Sequence, residues 1–67
     1  MKNYHVKIHD HETNEIFEAN VLASNDGEAR TKARNHFIKT KGGEVKFDII
    51  SSIEMRLGSV PNAQIIE

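Results

Sequence analysis

Apolar and polar positions alternate from Tyr4 onward. Tyr4, Val6 and Ile8 share one parity while His5, Lys7 and His9 take the other, which is the period of a half-buried strand. Residues 10 to 15, DHETNE, are rich in turn formers. Beyond them Phe17, Ala19 and Val21 resume the alternation, with Ile16, Glu18 and Asn20 opposite. The spacing predicts an antiparallel hairpin whose register keeps Tyr4, Val6 and Ile8 on the same face as Phe17, Ala19 and Val21. A slip of one residue would expose all six.

The stretch VLASNDGEARTKA, residues 21 to 33, hands that strand to a helix. Ser24 and Asn25 are both suited to cap a helix start, and Asn25 with Glu28 three positions on fits a capping-box variant. Asp26 and Glu28 complement the positive end of the helix dipole. Ala29, Ala33, Phe37 and Thr40 then recur at helical spacing, and Gly42 with Gly43 supplies the stop. Two alanines on the buried stripe imply that the helix backbone sits close on the sheet, with Phe37 filling the wider end.

After the glycines, Val45, Phe47, Ile49, Ser51, Ile53, Met55 and Leu57 hold one parity. The run exceeds the ~5 to 6 residues of a usual strand, so a bend or break is expected near Ser51 and Ser52 with the phase preserved. GSVPN reads as a turn in which Pro61 ends any ladder, and AQIIE adds a short edge strand through Ile65. The expected fold is a single α+β domain over residues 1 to 67. It has an antiparallel sheet of three to four strands, ordered β-β-α-β with a further short C-terminal strand, and one helix packed on one face.

Composition narrows what such a domain does. A chain of 67 residues is near the lower size at which a core alone supports folding. It has no cysteine, which excludes disulfides, thiolate metal sites and a thiol nucleophile and makes a reducing cytoplasm the plainest setting. No apolar run approaches the ~20 residues of a membrane span, so no membrane role is expected. The net charge of −1 argues against general polyanion binding, but its distribution is uneven: residues 28 to 46 carry +4 and the remainder −5.

Candidate chemistry is sparse. His5, His9 and His11 form H-x3-H-x-H, and imidazoles of this kind suit zinc or nickel. Along a strand His5 and His9 stand ~13 Å apart, too far to share an ion. His9 with His11 across the turn is the better pair but lacks a defined third ligand, so no metal and no cofactor is assigned. His36 beside the helix stripe has no serine or carboxylate placed to form a triad, and a chain this short has little scope for a deep pocket, so no catalytic residue is assigned. KTKGGEVK, residues 39 to 46, lacks the strand-loop-helix order of a phosphate loop, and a helix cap accounts for its glycines.

Two surfaces are left as partner sites. Ile16 and Ile50 lie on the sheet face opposite the predicted core, with Glu18, Asp48 and Glu54 around them, and as neighbours they would form an apolar patch with an acidic rim. Arg30, Arg34 and Lys41 fall along one helical edge, with Lys39 on the outer side, and would serve a nucleic-acid-associated module. The aromatic residues all belong to the core pattern, which disfavours a stacking platform for single strands.

Over residues 4 to 57 the layout of two strands, the VLAS junction, the helix with EARTKA and a final long strand resembles many small proteins encoded by phages and mobile elements, some anti-CRISPR proteins among them. It is also similar to the strand-strand-helix-strand layout of some ribosomal proteins, from which the acidic balance departs. The phage resemblance implies a non-catalytic inhibitor that occupies a surface of a larger host complex. The leading expectation is therefore a protein-binding module. The alternative is a nucleic-acid module, and a homodimer is a third possibility because so short a chain buries little surface.

Overall fold

The computed structural model describes residues 1–55 and 64–66. The chain runs β1 (Lys2–Asp10), β2 (Glu15–Ala23), α1 (Asp26–Lys41), β3 (Phe47–Glu54) and β4 (Gln64–Ile66). One four-stranded sheet has the order β3-β1-β2-β4. The hairpin forms in the register that the alternation demands, with Tyr4 opposite Val21, Val6 opposite Ala19 and Ile8 opposite Phe17. At its tip Asp10 O accepts from Asn14 N at 2.8 Å, and Asn14 takes the left-handed conformation at φ 59° that asparagine tolerates.

The helix begins and ends by side-chain and glycine chemistry. Asn25 Oδ1 accepts from Glu28 N at 2.8 Å, while Glu28 Oε1 reaches back to Ser24 N at 3.4 Å. At the other end Gly42 lies at φ 85°, and Gly42 N and Gly43 N donate to Lys39 O and Ile38 O in a Schellman arrangement. Ala29 and Ala33 are fully buried and Phe37 nearly so, facing Tyr4, Val6, Ile8, Ala19, Val21 and Ala23. Phe37 packs between Phe17 and Phe47 at ring-centroid distances of 5.6 and 5.0 Å. Ring pairs of this kind contribute ~0.5 to 1.5 kcal/mol beyond their burial.

Two expectations are corrected. The sheet is mixed, because β4 pairs with β2 in parallel, Asn20 opposite Ile65 and Val21 opposite Ile66. β4 therefore buries Ile66 on the helix side and turns Ile65 the other way. The long parity run also breaks in phase. Ile8 pairs with Ile49 and Lys7 with Ser51, which leaves Ile50 as an extra, unpaired residue of β3. Beyond this bulge the faces exchange: Ser52 and Glu54 stand opposite Val6 and Tyr4 on the helix side, and Ile53 stands opposite His5 on the other. The expected bend falls one residue before Ser51, and it shifts the pattern it was expected to preserve. The parity expected at Leu57 and the turn at Pro61 lie outside the described residues.

Candidate functional site

The sheet face turned away from the helix is organised in rows by the pairing register. One row crosses all four strands, Ile53, His5, Asn20, Ile65, spanning ~14 Å at ~4.8 Å per strand. Its centre is polar and covered, His5 being 7% and Asn20 2% exposed, whereas Ile53 and Ile65 at the two edges are 56% and 64% exposed. The next row holds Ser51, Lys7 and Glu18, and a third holds Asp48, His9 and Ile16. His5 Nε2 lies 3.0 Å from Glu18 Oε1, too poorly aligned for a directed hydrogen bond, so the contact is one of charge when the ring is protonated. Lys7 Nζ approaches the same carboxylate at 4.0 Å.

Ile16 and Ile50, half exposed as the alternation implies, are not neighbours. His9 lies beside Ile16 on β1 and pairs in turn with Asp48 of β3, so a whole strand separates the two isoleucines. Glu18 and Asp48 do lie on this face, whereas Glu54 is on the helix side and pairs with Lys2 at 3.6 Å. Ile53 and Ile65 went unassigned from the sequence. Alternation put Ile53 in the core because nothing in IISSIE marks which residue bulges, and the direction of Ile65 depends on a parallel pairing that its own three-residue strand does not encode.

The hairpin end carries His9 and His11. His11 Nε2 meets Asp48 Oδ2 at 2.7 Å, His9 Nε2 meets Asn14 Oδ1 at 2.8 Å, and the two rings stand edge to face at 4.8 Å. These contacts brace the turn against β3. Among the described residues no group of three or more His, Cys, Asp or Glu is arranged to hold a metal ion, and no helix is long and apolar enough to cross a membrane. His36 stacks on Phe17 at 6.2 Å.

On the helix side of the same end is a half-open cleft of about 110 Å³ lined by Asp10, Glu15, Ile16, Phe17, Phe37 and Lys41. Asp10 is its buried acid. Oδ1 accepts from Glu12 N at 2.9 Å and Thr13 N at 3.4 Å, and Oδ2 faces Lys41 Nζ at 3.2 Å. The Glu12 amide, and then the Lys41 ammonium, hold this carboxyl below the ordinary aspartate range despite its burial. Lys41 Nζ also lies 5.7 Å from the Phe37 ring centre.

The basic helix edge is partly neutralised. Arg30 pairs with Asp26 at 2.9 Å and Lys41 with Asp10, while Arg34 and Lys39 are exposed and make no ion pair with a described residue. The Asp26 carboxyl is held below its ordinary range by the Ser52 hydroxyl facing it, a near contact outside strict hydrogen-bond geometry, and then by Arg30. Lys32 bridges Glu28 at 3.2 Å and Leu22 O at 2.7 Å, pinning the helix to β2. Comparison of the chain with protein-family models, curated proteins and solved structures finds no match.

Proposed function

We propose that the protein is a non-catalytic binding module that grips another protein through the sheet face turned away from its helix. One observation carries this reading. Met1 aside, the large exposed hydrophobics among the described residues are Ile16, Ile50, Ile53 and Ile65, all on the sheet; three face away from the helix and the fourth is the bulge residue. Glu18, beside Lys7, and Asp48, bonded to His11, give the face a polar rim, so the complementary partner is apolar with polar groups around it. A standard interface takes ~800 Å² from each side, roughly a fifth of the 4466 Å² surface, which on so small a body means committing one whole face. Such a body acts by occupancy, covering a surface of a larger complex, and this agrees with the resemblance to phage-encoded inhibitors.

The test is affinity capture from host lysate with and without nuclease at two salt concentrations, run beside the double variant Ile53→Lys, Ile65→Lys. A stoichiometric protein that resists nuclease and salt and is lost with the double variant is the expected result. Recovery of nucleic acid with a steep salt dependence would overturn it and transfer the function to Arg30, Arg34, Lys39 and Lys41.

A further inference from the structure

We infer that the cleft between the hairpin end and the last helical turn is a receptor for an arginine side chain of the protein partner, a receptor whose acid Lys41 holds in the free molecule. The inference rests on the reading of the protein as a protein-binding module and names the chemistry that the partner brings.

The walls and the charges of the cleft point to the same guest. Half-buried Phe17 supplies the aromatic surface, with Phe37 almost wholly buried behind it, and Asp10 and Glu15 supply two carboxylates against the single ammonium of Lys41. The negative end of the helix dipole adds to the field, since Lys41 is the last residue of α1. A planar guanidinium stacks on aromatic faces and bonds carboxylates through a fork of donors, which a lysine ammonium cannot do. The volume of about 110 Å³ is a little below the ~150 Å³ that accommodates benzene, a size suited to one planar cation and too small for a larger ligand.

Lys41 shows how a cation sits there. Its ammonium is 3.2 Å from Asp10 Oδ2 and 5.7 Å from the Phe37 ring centre, yet its side chain is 39% exposed, so it lines the cleft and does not fill it. Asp10 is prepared to change partners, because its other oxygen is held by two backbone amides of the turn. An arriving arginine sends the half-exposed Lys41 ammonium to water and takes over its pairing with the buried Asp10, so the carboxylate is never left without a cation. Ile16 lines the cleft and is also half exposed on the opposite sheet face, so a partner reaching round the hairpin end covers both.

The experiment is an NMR titration of the isolated, isotope-labelled protein with N-acetyl-arginine amide, and with the citrulline analogue as a neutral control of the same shape. Saturable shifts at the Phe17 and Phe37 rings with arginine and none with citrulline are expected. Lys41→Ala removes the resident competitor for the buried Asp10 and should tighten arginine binding by at least about fivefold. Glu15→Gln should weaken it. If Lys41→Ala perturbs folding, Lys41→Gln keeps a donor to Asp10 without the charge and serves in its place. Absence of saturable shifts in both wild type and the Lys41 variant overturns the inference, as does an equal response to citrulline. Because the probe is a small molecule on isolated protein, that failure is separate from failure to capture a partner.

Discussion

Gly42 holds a backbone angle of φ 85°, and a Cβ built on it would meet nothing within 4 Å. The cost of a side chain there is therefore conformational and owes nothing to crowding. Gly42→Ala should lower stability by about 1 kcal/mol, and Gly42→Asn by less, because asparagine tolerates the left-handed region. Urea unfolding at unchanged m-value is the check, and equal losses for the two variants would contradict the account. Asp10 makes a second residue-level prediction, from the sign of its shift. Its folded pKa lies below that of the unfolded chain, so its contribution is complete above about pH 4 and is lost as pH falls from there through the depressed value. Asp26 and Glu28 are depressed as well, Glu28 chiefly by Lys32, so the acid limb is shared. Asp10→Asn should flatten that limb in a stability-against-pH profile while Asp26→Asn leaves the Asp10 part in place. The glycine stop and the Asn25 cap were legible because each is a local rule read over a few residues. The burial of Asp10 was not, because its cation comes from the far end of the helix.

At the scale of elements, the hairpin and helix followed from periodicity because each has a single face to bury. β3 has the same alternation and still misled. Parity along a strand tells which residues share a face only while the ladder is unbroken, and the extra residue at Ile50 exchanges the faces for everything after it. The bulge makes a prediction of its own. Deleting Ile50 would leave Ile49 opposite Ile8 and Ser51 opposite Lys7 as consecutive pairs, so every later side chain keeps its face. The shortened protein should stay folded by circular dichroism. It should also self-associate in sedimentation, because a flat edge strand is a better template for pairing than a bulged one. Deleting Ser52 instead keeps the bulge while turning Ile53 to the helix side and Glu54 to the open face, so it should leave the bulged edge in place and the protein monomeric in sedimentation. If both deletions behave alike, the bulge is not where the register changes. The helix is held by small residues: Ala33 is fully buried, and Ala33→Leu should cost ~1 to 3 kcal/mol by forcing the helix off the sheet.

For the molecule as a whole, size governs both stability and function. A domain of 67 residues has a total stability of roughly 3 to 10 kcal/mol, and Phe37 sits at the junction of helix, β2 and β3. Phe37→Ala, at ~3 to 5 kcal/mol, should consume much or all of that margin. The exposed isoleucines stand at the other extreme. Ile53 and Ile65 are more than half exposed, so Ile53→Lys and Ile65→Lys should each change unfolding free energy by no more than about 0.5 kcal/mol. If they anchor a partner, each should weaken binding by at least ~2 kcal/mol, about thirtyfold, because a charge forced into a desolvated apolar contact lacks a counterion. Stability and binding therefore separate in this pair of residues as they cannot in the core. Chemical denaturation and titration of the captured partner, run on the same samples, measure both. Lost binding with lost stability would mean that the two isoleucines belong to the fold, and retained binding with retained stability would move the contact elsewhere on the surface.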